Sequence, residues 1–212
     1  MKIEKKVLDM SLAGIFTAII IAMSVVPFLG YIPLGFMNAT IIHVPVIIGA
    51  IILGPKYGAY LGLVFGVTSL VKATITHFVT SNEFSPIVTI GGYSGNMWSA
   101  VIAIVPRVCI GIVAYYVYKL IMKVAHGIKG SQTVALWVAG IAGAMTNTLL
   151  VMNGIYIFFG QSYAAASNKA VEHIYDVILG IILGFGVPEA IVAGILTTAI
   201  TKVLFKIIKN NG

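Results

Sequence analysis

From Met10 to Pro55 the chain carries no formal charge. One helical crossing of a bilayer takes ~20 apolar residues, so this run is too long for a single span. Pro27 through Gly35 interrupts it with two prolines and two glycines, which read as a break. The pattern predicts two spans, Val7–Leu29 and Phe36–Leu53, joined by a tight loop. Gly54-Pro55-Lys56 then turns the chain into a third span, Tyr57–Thr76. A polar stretch follows from His77 to Gly95, containing Thr80, Ser81, Asn82, Glu83 and the Gly91-Gly92 pair. Asn96–Lys123 is a fourth span carrying Pro106 and Arg107, His126–Gln132 a short basic loop, Thr133–Gly160 a fifth span and Pro188–Ile208 the last. Between the last two lies Ala170–Val187, whose apolar part is too short to cross and is weakened by Gly180, Gly184 and Gly186. It is expected to form a partly buried re-entrant or interfacial piece at about 171–186.

Composition turns these segments into a class. Of 212 residues, 59% are hydrophobic and only 9% are charged, too little polar surface to face water. A soluble enzyme, a disordered chain and a disulfide scaffold are excluded; Cys109 is the only cysteine and sits in an apolar run. The fold class expected is an all-α integral membrane protein: a bundle of six transmembrane helices, partly helical outer loops, and one domain over residues 1–212.

Thirteen basic residues face six acidic ones. They lie at the ends of apolar runs and not on an aromatic-lined basic surface, so nucleic acid is not the expected partner. With six spans, Lys2, Lys5, Lys6, Lys56, Lys119, Lys123, Lys129, Lys202, Lys206 and Lys209 share one side, leaving only Lys72, Arg107 and Lys169 elsewhere. The positive-inside rule makes that side, with both termini, cytoplasmic. A seventh span would strand the C-terminal lysines outside. Lys2, Lys5 and Lys6 ahead of an apolar stretch, with Ala22-Met23-Ser24 behind, imitate a cleaved leader, but the segment is long enough to span and is read as a span.

Several chemistries drop out. No Gly-x-x-x-x-Gly-Lys-Ser/Thr loop exists to cradle ATP phosphates, so transport must draw on a gradient or another subunit. The four histidines show no metal-ligand spacing, and no cofactor is expected. Gly92-Tyr93-Ser94-Gly95 matches the Gly-x-Ser-Gly of rhomboid-type intramembrane proteases. A nucleophilic serine needs a histidine base in reach. His126 is on the cytoplasmic side and His173 in a charged segment, so a glycine-rich loop is the better reading.

Two stripes of small residues stand out. Gly58, Gly62 and Gly66 recur at every fourth position of the third span and read as internal helix packing. Gly14, Ala18 and Ala22 do the same on the first, where internal packing and a docking face for a partner subunit stay equally open.

Intramembrane polar residues mark the ligand site. Arg107 lies about eleven residues into the fourth span, near mid-depth. An arginine at that depth costs ~2.5–3.5 kcal/mol to insert, so it belongs on the bundle interior or in a wet cavity. It shares a helix face with Asn96, Ala100, Ala103, Gly111 and Ala114. Asn147 reaches a similar depth on the fifth span and Asn153 lies nearer the outside, roughly 120° round the helix, so one of the two is expected to face the cavity. No carboxylate is expected at the depth of Arg107, because Glu189 caps the outer end of the sixth span and Glu83 sits in a loop. An arginine so placed invites an anionic ligand; the alternative is that it satisfies helix carbonyls or reaches Glu189. His43 and Lys72, near the outer ends of the second and third spans, are secondary candidates, and Asn96 and Glu189 are counted with the substrate-binding residues.

Taken together these features resemble the substrate-binding S components of energy-coupling-factor (ECF) vitamin transporters, over nearly the whole chain. The most specific stretches are Met37-Asn38-Ala39-Thr40-Ile41-Ile42-His43-Val44-Pro45 running into Gly54-Pro55-Lys56-Tyr57-Gly58, then Thr146-Asn147-Thr148 and Gly186-Val187-Pro188-Glu189-Ala190. They look closest to the pantothenate-type members. The resemblance implies an outward-facing vitamin pocket near the outer loops, a transmembrane T subunit with two cytosolic ATPases as partners, and delivery by toppling of the whole subunit. The Ala-x-x-x-Ala with which the family docks on its T subunit is matched by Ala18 and Ala22, whereas Gly14 stands where a further alanine is expected.

Pantothenate offers one carboxylate, an amide and two hydroxyls, which suit Arg107 with Asn147 or Asn153. An aminopyrimidine precursor would favour carboxylates and aromatic stacking and leave Arg107 without a role; folate and riboflavin are further alternatives. A gradient-driven carrier is the second class of function. The chain lacks the convincing internal repeat and the mid-depth carboxylate that such carriers often show.

Overall fold

The structure, a computed structural model, describes residues 5–26, 29–33, 38–167 and 170–210. Lys2 and Lys169 of the charge pattern, and Phe36 at the expected start of the second span, lie outside the described residues. Helix α1 (Lys5–Val25) is followed by a small antiparallel pair, β1 (Tyr31–Pro33) and β2 (Asn38–Thr40), then α2 (His43–Leu53) and α3 (Pro55–Thr76). A 3-10 turn at Ser81–Glu83 and the two-residue strands β3 (Thr89–Ile90) and β4 (Tyr93–Ser94) lead into α4 (Met97–Val124) and α5 (Ser131–Ala166). A second 3-10 turn at Val171–His173, α6 (Ile174–Ile181), a π-helical segment at Ile182–Gly186 and α7 (Val187–Asn210) complete the chain.

Among the described residues, five helical runs are long and apolar enough to cross a membrane: 6–25, 55–76, 97–124, 131–165 and 174–208. The expected second span is much shorter, because Asn38–Thr40 is spent on β2 and α2 has only 11 residues. That is about 16 Å of helix against ~30 Å of hydrocarbon. A helix apolar on every side belongs in the interior. His43 through Ile51 are accordingly all buried, and α2 is surrounded by α1, α3, α4, α5 and α7. Gly54, at φ 101°, makes the turn that a side chain would oppose, and Pro55 starts α3 where its missing N–H does no harm.

The expected re-entrant piece at 171–186 is also corrected. Residues 174–208 form one helical run, and Pro188 does not begin a new span. Proline removes the N–H that would bond the carbonyl four residues back. Here the π-helical turn immediately before Pro188 absorbs that lost bond, so the helix continues through it.

Helix–helix contacts are close where glycine permits. A Cβ at Gly66 would sit 2.8 Å from Cα of Ile104 and one at Gly62 2.8 Å from Cα of Val108, with the Arg107 carbonyl nearer still. The glycine stripe of α3 is thus internal packing against α4, as expected. A second crossing joins α5 to α7, where a Cβ at Gly140 would lie 2.7 Å from Cα of Gly194. These contacts run 58 to 111 and 66 to 104, then 140 to 194 and 148 to 186, so α4 runs against α3 and α7 against α5. One apolar cluster surrounds α2 with Phe16, Ile20, Leu61, Phe65, Ile110 and Leu136. A second, built on Ile102, Met152, Ile155, Phe159, Ile174 and Ile178, closes the end of the bundle near the 77–96 loop.

Candidate functional site

Between these clusters lies a cavity of about 130 Å³. Its wall draws Lys72 and Ser69 from α3, Glu83 and Phe84 from the loop, Arg107 from α4, Asn147, Met152, Ile155 and Tyr163 from α5, Phe185 from the π segment, and Glu189 from α7.

Arg107 owes its position to the residue before it. Pro106 cannot donate to the Ile102 carbonyl, and the Arg107 guanidinium takes over that task, Nη1 donating to Ile102 O at 2.7 Å. This bond uses one of the five donors of the fork. The same group packs over two aromatic rings, its Cζ 5.5 Å from the centroid of Phe65 and 5.2 Å from that of Phe84. Arg107 thus satisfies a helix carbonyl and also lines the cavity, about 15 Å along α4 from its start.

Asn147 is buried on the cavity wall, and its Oδ1 has no hydrogen-bond partner among the described residues. Asn153 points elsewhere: it is partly exposed, and its Nδ2 donates to the Leu149 carbonyl at 2.8 Å. Asn96 does not line this cavity. It is the exposed N-cap of α4, its Oδ1 accepting from the Trp98 N–H at 2.8 Å while its own N–H donates to Ser99 Oγ at 3.0 Å. Capping satisfies backbone donors that a helix start leaves open, a task for which asparagine is well suited.

Lys72 lines the cavity and donates from Nζ to the Ser24 carbonyl at 3.3 Å, in the last turn of α1, where a cation complements the helix end. His43 does not line the cavity. It is buried behind it, with Nδ1 3.5 Å from Oε1 of Glu189. Glu189 itself lines the cavity, on the same wall as Arg107.

Two ionisable wall residues escaped the sequence. Tyr163 extends the buried α5 face through Ile155 and Phe159 at four-residue spacing, beyond the expected end at Gly160 and past a kink at Phe159. That spacing was the available signal. Glu83 is fully buried in the loop, and burial pushes its carboxyl well above the usual range. The only hint of it was loop length, since nineteen residues between spans is long for a plain connection.

The remaining motifs fall away from the site. Ser94 is exposed on β4 and shares a hydrogen bond of 3.0 Å with Thr89. His126 follows α4 at the opposite end, and the exposed His173 stands 3.7 Å from Asp176. Gly14, Ala18 and Ala22 all face outward on α1, whose inner face is Ala13, Phe16, Ile20 and Ser24.

Comparison with known proteins agrees with this layout. Residues 9–201 match the family described as the substrate-specific component of ECF transporters. The pantothenic acid transporter PanT of Lactococcus lactis subsp. cremoris (strain MG1363) is 36% identical over 98% of this chain and 99% of its own. The pantothenate transporter PanT of Leuconostoc mesenteroides subsp. mesenteroides is 27% identical over 93% and 92%. The crystal structure of the S component for biotin from an ECF-type ABC transporter superposes with a TM-score of 0.50 over 95% of each chain; at 19% identity this likeness speaks to fold alone.

Proposed function

Since the chain belongs to the substrate-specific components of ECF transporters, we propose that its cavity captures pantothenate. The protein is a multi-pass membrane transport subunit of bacteria and not an enzyme. The observation that carries the substrate is Arg107, a guanidinium fixed by the Ile102 carbonyl at the wall of a cavity that also holds the Asn147 amide. A rigid fork beside an amide suits a ligand with one carboxylate and one amide. The apolar wall of Met152, Ile155 and Phe84 suits the branched hydrocarbon between them. The two PanT relatives, which match almost end to end, support the same substrate.

In this reading the chain crosses the membrane six times, with α2 in the short second crossing. Both termini lie in the cytoplasm and the cavity opens outward. Energy comes from two cytosolic ATPases through a T subunit, which docks on the outward face of α1 at Gly14, Ala18 and Ala22. The exposure of all three supports that assignment.

Calorimetric titration of the purified protein tests the substrate, with pantothenate set against thiamine, riboflavin, folate and hydroxymethylpyrimidine. Only pantothenate is expected to bind tightly. Arg107→Ala removes a charged hydrogen bond worth about 1.5–3 kcal/mol, a loss of roughly 10- to 150-fold in affinity. Wild-type affinity in that variant would remove the carboxylate assignment.

A further inference from the structure

Three hydrogen bonds hold the loop that lines the cavity, and none of them uses Glu83. Asn82 Nδ2 donates to Ser162 Oγ on α5 at 2.7 Å, and Ser99 Oγ on α4 donates to the Asn82 carbonyl at 2.6 Å. Ser85 and Thr74 on α3 share a hydrogen bond of 2.7 Å between their hydroxyls. The loop is thereby clamped to three helices with no help from Glu83. Yet Glu83 has no exposed surface, lines the cavity, and neither carboxyl oxygen has a hydrogen-bond partner among the described residues.

A buried carboxyl without a partner destabilises the empty protein, so its presence needs an explanation outside the fold. The chemistry of the wall narrows what could satisfy it. A cationic ligand group would meet Arg107 and Lys72, and an anionic one would meet the carboxyl itself. A neutral hydroxyl suits both states of the residue, donating to a carboxylate or exchanging donor and acceptor roles with a protonated acid.

We propose that Glu83 is a specificity-determining residue that binds the hydroxyl-bearing end of the ligand while Arg107 holds the carboxylate end. The inference rests on the pantothenate reading and adds to it a reason for selecting hydroxylated acyl amides over their deoxy counterparts. Sites built to bond a hydroxyl reject analogues lacking it far more strongly than apolar pockets do, because the site's polar group is then left unpaired.

The test compares pantothenate with N-(3,3-dimethylbutanoyl)-β-alanine, which keeps the carboxylate, amide and branched carbons but has neither hydroxyl. Wild type, Glu83→Met and Glu83→Gln are titrated with both, and the melting temperature of each unliganded protein is recorded. Methionine fills the same space without a polar end, so the empty Glu83→Met protein should melt no lower than wild type. Wild type should prefer pantothenate by at least about tenfold. Glu83→Met should erase that preference by losing pantothenate affinity while binding of the deoxy analogue changes less than about twofold, and Glu83→Gln should keep part of it. The proposal is overturned if Glu83→Met binds pantothenate as wild type does, or if both ligands weaken together. Wild-type protein that binds no pantothenate would instead refute the substrate reading, and the role of Glu83 would fall with it.

Discussion

Gly58, Gly62 and Gly66 on α3 and Gly14, Ala18 and Ala22 on α1 repeat at the same four-residue spacing, and their fates are opposite. The α3 stripe is buried against α4 and, at Gly58, against Ala50 of α2 as well, leaving no room for a Cβ at any of the three positions. The α1 stripe is exposed, and a Cβ at Gly14 would meet nothing within 4 Å. Small residues let helix backbones approach; they do not say which helix arrives. α3 has neighbours on several sides, whereas α1 packs on α2 and α3 through Ala13, Phe16 and Ile20 and turns its small residues away. A stripe used by the fold and a stripe left over look alike along the chain and differ only in the assembled bundle.

The largest effect should come from filling the closed stripe. Gly62→Leu drives a side chain into the Arg107 carbonyl, which cannot move without shifting α4 and the guanidinium together. Overpacking against backbone should cost about 3 kcal/mol or more and abolish pantothenate binding, read by thermal unfolding in detergent and by titration. A variant with wild-type melting and affinity would show that the contact is slack.

Filling the open stripe should separate folding from assembly. Ala18→Trp is expected to leave melting temperature and ligand affinity within error of wild type while eliminating co-purification of the T subunit. Retention of that subunit would break the docking assignment and leave the α1 stripe without a role. The smallest effect should be Gly14→Ala, which adds a methyl group to empty space. Replacing a mid-helix glycine should raise stability by about 0.5–1 kcal/mol. A drop in melting temperature would mean that this face of α1 is packed after all.

Much of the site was legible because bilayers punish polar residues at depth, so each one there demands a reason. That logic led to Arg107 and Asn147, and both stand on the cavity wall. It failed where a residue had a local use invisible to periodicity. Asn96 shares the Arg107 face of its helix yet serves as an N-cap, and Asn153 turns to the Leu149 carbonyl. It failed also for Glu83, because a loop residue carries no depth in sequence; only the folding of the 77–96 segment onto α3, α4 and α5 buries it.

Membrane class and helix-forming segments followed from the order of residues, since they depend on local hydrophobicity and on spacing within one segment. The shortness of α2, the passage of one helix through Pro188, and the meeting of Glu83, Arg107 and Glu189 around one cavity did not. Those depend on which surfaces touch. Contact between segments a hundred residues apart is set by packing and by hydrogen bonds that no single stretch of chain contains.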